Sequence, residues 1–138
     1  FAYWSDESYT RNCVSRNDEY ELILLCWEPG QETPVHCHNG EECWVYGLKG
    51  EMDEIRFKNK PGSEHDIYET ERGTMEEGTV AYMHDMMGFH SLHNNSGERA
   101  MTLHLYMKPI DSCRIYDEEK DRFIRKEMKY TTKDGKLL

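Results

Sequence analysis

The chain has 138 residues, 32% of them charged, with 17 basic against 27 acidic side chains and a formal net charge of −10. This length accommodates one domain that can bury a core without disulfides or a structural metal, so residues 1–138 read as a single domain. A surface this acidic repels phosphates and anionic lipid headgroups, which argues against nucleic acid and membrane as partners.

No stretch approaches the roughly 18 consecutive apolar residues of a membrane span, and the opening FAYWSDESY lacks the basic and apolar regions of a secretory signal. A soluble, cytoplasmic protein is expected, and the initial Phe leaves room for a segment ahead of residue 1. Five cysteines (Cys13, Cys26, Cys37, Cys43, Cys113) are an odd number without tight spacing, which fits a reducing compartment better than a disulfide framework.

Turn signals recur roughly every 8–15 residues, at Arg16-Asn17-Asp18, Pro29-Gly30, Asn39-Gly40, Gly47 to Gly50, Pro61-Gly62, Gly73, Gly78, Asn94 to Gly97 and Pro109. Between them, strands are expected over 20–27, 43–48, 51–57, 79–83, 100–106 and 123–130. In the 100–106 segment, Thr102, His104 and Tyr106 share one face and Met101, Leu103 and Leu105 the other. A face so polar and aromatic suits a lined cavity rather than a dry core. No sustained helical period and no internal repeat occur, and the charged tail from Asp117 to Lys136 reads as a solvated face and turn. The expected architecture is all-β, a jelly-roll-like antiparallel barrel. With no long exposed apolar segment to advertise an interface, a monomer is expected.

The strongest local signal is His36-Cys37-His38, since two histidines two apart on a strand project to one side and can bind one ion. Alone, the pair also fits two surface histidines. The frame around it is more specific. Gly30, His36-x-His38, position 43 and Gly50 reproduce the spacing of the first cupin motif, and Gly78 followed by Gly88-Phe89-His90-x3-Asn94 that of the second. The cupin resemblance implies a β-barrel in which His90 joins His36 and His38. Cys43 occupies the position usually held by a metal-binding Glu, and Glu42 would reach the metal only if a bulge at Asn39-Gly40 turned it inward. Three imidazoles with open positions suit Fe(II) and O2 chemistry; zinc would bind the same ligands without redox capacity. Alternation turns Cys37 away from the metal, while His84, His93 and His65 do not match the ligand position.

Tyr9-Thr10-Arg11-Asn12, Leu25-Cys26-Trp27, His36-x-His38-x4-Cys43, Gly88-x-His90, Thr102 to Tyr106 and Asp111-Ser112-Cys113 together resemble cysteine dioxygenases, non-haem iron cupins that oxidise cysteine to cysteine sulfinic acid. The resemblance implies one Fe(II) per chain on His36, His38 and His90, and Arg11 and Tyr9 at the substrate carboxylate. It implies the Tyr106 hydroxyl near substrate and dioxygen, with His104 as its hydrogen-bond partner and Thr102 and Trp27 behind. It also implies a thioether between Cys43 and Tyr106, a modification found in some members of the family. A guanidinium is a planar, permanently charged fork matched to a carboxylate, although in so acidic a protein Arg11 also fits a surface ion pair. The substrates implied are cysteine and O2. The rival readings are a dioxygenase for a related thiol such as 3-mercaptopropionate, a non-catalytic metal-binding cupin, and a metal-dependent isomerase that works without oxygen.

Overall fold

Every second side chain from Ala100 to Tyr106 is buried, and this alternation sets one inner and one outer face for the sheet it belongs to. The computed structural model describes residues 1–37, 40–84 and 88–138. Among these there is no helix, and so no helix long and apolar enough to cross a membrane. The strands are β1 (Thr10–Arg16), β2 (Glu21–Trp27), β3 (Cys43–Lys49), β4 (Met52–Asn59), β5 (Ile67–Met75), β6 (Val80–Met83), β7 (Phe89–His93), β8 (Ala100–Tyr106), β9 (Ser112–Asp117), β10 (Arg122–Glu127), β11 (Thr132–Lys133) and β12 (Lys136–Leu137).

A seven-stranded sheet in the order β12-β11-β1-β2-β8-β3-β6 forms one wall. A three-stranded sheet, β5-β4-β7, and the hairpin β9-β10 complete the strand set. The barrel is not closed by continuous ladders: isolated bridges, His36 with His90, His36 with Ile115 and Glu32 with His93, tie the elements together. The segment around Pro34 cannot extend a regular ladder, because a proline has no N–H to donate. The strand pairs are antiparallel apart from the short pairing of β1 with β11, which is parallel.

The short turns follow from side-chain chemistry. Asn17 Oδ1 accepts from the N–H groups of Glu19 (2.8 Å) and Tyr20 (3.0 Å), closing the β1–β2 hairpin. Gly88, at φ +100°, enters β7 where a Cβ would lie 2.3 Å from the Phe57 carbonyl oxygen. Only glycine lets β7 approach β4 this closely, and that approach sets His90 opposite Arg56.

The inner face packs Ile23, Leu25, Trp27, Val45, Met52 and Leu92 around Cys43 and Tyr106. A second cluster joins Cys37, Phe89 and Phe123, with the Arg114 guanidinium 4.8 Å from the Phe123 ring. The tail is not simply solvated. Its Phe123 and Thr132 are buried, and Thr132 Oγ1 donates to Asn12 Oδ1 at 2.8 Å. The strand expected over 123–130 stops at Glu127; beyond it the chain crosses to β1, where Thr131 N–H donates to the Arg11 carbonyl at 2.7 Å.

Candidate metal and substrate site

His36 and His90 exchange two backbone hydrogen bonds, of 2.9 and 3.1 Å, which fixes their side chains beside one another. Their Nε2 atoms are 3.2 Å apart. Each ring is anchored through its other nitrogen: His90 Nδ1 lies 2.8 Å from Glu54 Oε2, and His36 Nδ1 lies 2.9 Å from the Pro34 carbonyl oxygen. Carboxylate and carbonyl only accept, so both Nδ1 atoms carry the proton and both Nε2 lone pairs point at the same place. Two facing lone pairs call for a cation. Adjacent imidazole ligands with bonds of about 2.0–2.1 Å to one first-row ion leave their nitrogens about 2.8–3.4 Å apart, so this pair fits a metal. Burial, with His36 adding to it, holds the pKa of His90 well below the ordinary value, so the imidazole stays neutral as ligation requires.

Among the described residues no cluster of three or more His, Cys, Asp or Glu completes a metal site. His38, the remaining expected ligand, lies outside the described residues. Glu42 is exposed, so its role as an alternative ligand is not supported. The carboxylate that does reach the site is Glu54, which orients His90 and is itself held by Arg56 Nε at 2.9 Å. The sequence signal for it was available: Glu54 and Arg56 share a strand face with the core residue Met52, an unusual place for a charged pair.

A cavity with about 50 Å3 of water-accessible volume opens beside this pair. It suits a small molecule. Tyr9, Arg11, His36, His104 and Tyr106 supply its polar wall, and Leu25, Leu92, Ile110 and Met128 its apolar one. Arg11 is 7% exposed, so the alternative of a surface ion pair does not describe it. The guanidinium donates from Nη1 to the Lys129 carbonyl at 2.7 Å and lies 5.4 Å from the Tyr130 ring centroid. Tyr9 stacks on Trp27 with ring centroids 4.6 Å apart.

β8 contributes a buried relay. Trp27 Nε1 donates to Thr102 Oγ1 at 3.0 Å, and Thr102 Oγ1 lies 2.7 Å from His104 Nε2. The indole can only donate, so Thr102 Oγ1 accepts from Trp27 and its remaining hydrogen-bonding capacity meets His104 Nε2. The His104 ring stacks over Tyr106 with centroids 6.2 Å apart. Burial pushes His104 down to about 3 and Tyr106 well up, leaving both uncharged near neutral pH. Cys43 is the direct cross-strand partner of Tyr106, and both side chains are buried. Burial also raises the Cys43 thiol.

The other histidines lie elsewhere. His93 bridges Glu32 (2.6 Å) and Ser91 (2.7 Å), His65 accepts from the Phe123 N–H at 3.0 Å, and His84 packs edge-on to Tyr82. Cys37 packs on Phe89 and Phe123 and also borders the cavity.

A family model described as cysteine dioxygenase type I matches residues 1–119. Among individual proteins, cysteine dioxygenase type 1 of Rattus norvegicus is 30% identical over 137 residues, covering 98% of this chain and 68% of the relative. The Danio rerio cysteine dioxygenase type 1 is 32% identical, covering 98% of this chain and 69% of its own length. Among solved structures, a double-stranded β-helix protein of Klebsiella pneumoniae superposes with a TM-score of 0.65 at 15% identity, covering 84% of this chain and 90% of that one. This last likeness speaks for the cupin fold alone.

Proposed function

Since the chain belongs to the cysteine dioxygenase type I family, we propose that it is an Fe(II)-dependent thiol dioxygenase that converts L-cysteine to cysteine sulfinic acid. The observation that carries this reading is the shared cavity: Arg11, His36 and Tyr106 line one small space. The reaction R–SH + O2 → R–SO2H places both oxygen atoms on sulfur and needs no external reductant. This is a defined rung of the thiol oxidation ladder.

His36, His38 and His90 would hold the iron. Bound there, a ferrous ion supplies the redox chemistry by which dioxygen reacts with a thiol. Arg11 binds the substrate carboxylate in a planar, charge-assisted fork, with Tyr9 beside it. The fixed carboxylate and the apolar wall orient the thiol and exclude bulk water, so positioning performs a large share of the catalysis. Tyr106 keeps its proton and donates a hydrogen bond to oxygen as negative charge develops. His104 and Thr102 hold that side of the cavity, with Trp27 behind them. A Cys43–Tyr106 thioether would fix the phenol further; its formation removes one hydrogen from the thiol and one from the ring and passes two electrons to dioxygen. We propose a monomeric, cytoplasmic protein whose partners are cysteine and O2.

The test is anaerobic Fe(II) loading followed by oxygen uptake with L-cysteine, cysteamine and 3-mercaptopropionate in parallel, with the product identified by mass. Stoichiometric cysteine sulfinate with cysteine preferred is the expected result. Preference for 3-mercaptopropionate would change the substrate, and no uptake with any thiol would overturn the reading.

A further inference from the structure

The cavity arginine rests on a buried array formed by the tail of the chain. Glu21 is fully buried, yet its carboxyl takes three hydrogen bonds: Oε1 accepts from the Ile110 N–H at 3.1 Å, and Oε2 accepts from Arg16 Nη1 at 3.2 Å and from the Tyr130 hydroxyl. Arg16 Nη1 also donates to the Tyr130 hydroxyl at 2.7 Å, while its Nη2 pairs with Asp111 at 2.7 Å. The Tyr130 ring therefore has its hydroxyl clamped at one end and the Arg11 guanidinium 5.4 Å from its centroid. On either side of Tyr130, Lys129 and Thr131 bond the same arginine: the Lys129 carbonyl takes Nη1, and Thr131 Oγ1 accepts from the Arg11 N–H at 3.1 Å.

Burying a carboxylate costs several kcal/mol, and ion pairs of this kind are weak evidence for stability as such. The location is more telling. Glu21 is the Cα partner of Tyr106 across the β2/β8 ladder, and Ile110, which it holds, lines the cavity. Burial raises the Glu21 carboxyl, while the Ile110 N–H and the charges of Arg11 and Arg16 pull it back. Tyr130 lies beyond the residues matched by the family model.

Resting on the carboxylate role given to Arg11 above, we propose that Tyr130 is a positioning residue: clamped by Glu21 and Arg16, its ring fixes the Arg11 guanidinium in the orientation that receives the substrate carboxylate. It makes the site selective for thiols that carry a carboxylate. Losing the hydroxyl frees the ring and the guanidinium above it to rotate, which weakens binding only of substrates that use that fork.

The experiment uses the full iron-loaded chain and two readouts: anaerobic calorimetric titration with cysteine and with cysteamine, which lacks the carboxylate, and oxygen uptake with each. Tyr130→Phe should weaken cysteine binding about tenfold, the scale of one lost hydrogen bond to a charged group. Cysteamine binding should change less than about twofold, with kcat for cysteine nearly unchanged at saturation; this split follows if only ground-state carboxylate binding is lost. The double variant Glu21→Gln/Tyr130→Phe, which removes the buried carboxyl together with its donor, serves if the single variant does not fold, and it should show the same loss of selectivity. A lower thermal midpoint with equal effects on both thiols would make Tyr130 merely structural and overturn the proposal. Wild-type protein that binds both thiols equally would overturn it too. Wild-type protein that prefers cysteine in the titration but consumes no oxygen would overturn the dioxygenase reading and leave this one standing.

Discussion

Cys43 and Tyr106 face each other as Cα partners across the antiparallel β3/β8 ladder, both buried inside the barrel. Directly opposed residues on one sheet face bring their Cβ atoms to about 4.5–5.5 Å, within reach of a bond between sulfur and ring. Enzyme taken through many turnovers with iron, cysteine and O2 should contain a fraction lighter by about 2 Da, resistant to reductant, whereas each step of the sulfur oxidation ladder adds mass. Peptide mapping should join the peptides of Cys43 and Tyr106. Cys43→Ser should abolish the joined species while iron and part of the activity persist. Separate peptides alone would mean that Cys43 is only a buried thiol.

Metal retention should divide the histidines. His36→Ala, His38→Ala and His90→Ala should each lose stable iron, whereas His84→Ala and His93→Ala should keep it. Glu54→Gln should keep the fold but weaken iron affinity about 10–100-fold, since the amide holds the His90 ring and its tautomer less firmly than a carboxylate. Metal analysis after dialysis against a graded chelator series reads both effects. Full iron in His90→Ala would remove that residue from the site.

Arg11→Ala should discriminate between thiols. Removing one partner of a desolvated charge pair costs on the order of 2–5 kcal/mol, so kcat/KM for cysteine should collapse while that for cysteamine changes little. Equal losses would show that Arg11 serves the fold.

Stability should depend on pH through His104. Burial holds the folded pKa at about 3, below the ordinary value of 6.5, so between these values the unfolded chain binds the additional proton. The contribution is fully present above about pH 6.5 and is lost as pH falls toward 3. Urea midpoints measured from pH 7 to pH 4 should fall less steeply for His104→Gln than for the unaltered protein. Parallel slopes would contradict the assignment.

Several features were legible because they are local or periodic. The alternation of Thr102, His104 and Tyr106 predicts an inward polar face, and the structure buries these three while leaving Met101, Leu103 and Leu105 less covered. Strand β5 was not legible, since it lies at a sheet edge with nearly all its side chains exposed and so carries no hydrophobic alternation. β1 escaped as well; its polar TRN run is buried through hydrogen bonds, such as those of Asn12 to Thr10 and the Leu24 carbonyl, rather than through apolar character.

Taken alone, the sequence determined the all-β class, the family, and the spacing that makes His36, His38 and His90 candidate ligands, because strand periodicity and glycine-punctuated motifs depend only on neighbours along the chain. The meeting of residues far apart in sequence was decided by tertiary structure. Glu54 reaches His90 across the β4/β7 pairing, and the tail at Tyr130 folds under Arg11 from more than a hundred residues away. No local pattern encodes these contacts: a buried charge can exist only where the assembled fold brings it a partner, and the same Glu or Tyr in an unfolded segment reads as ordinary solvated surface.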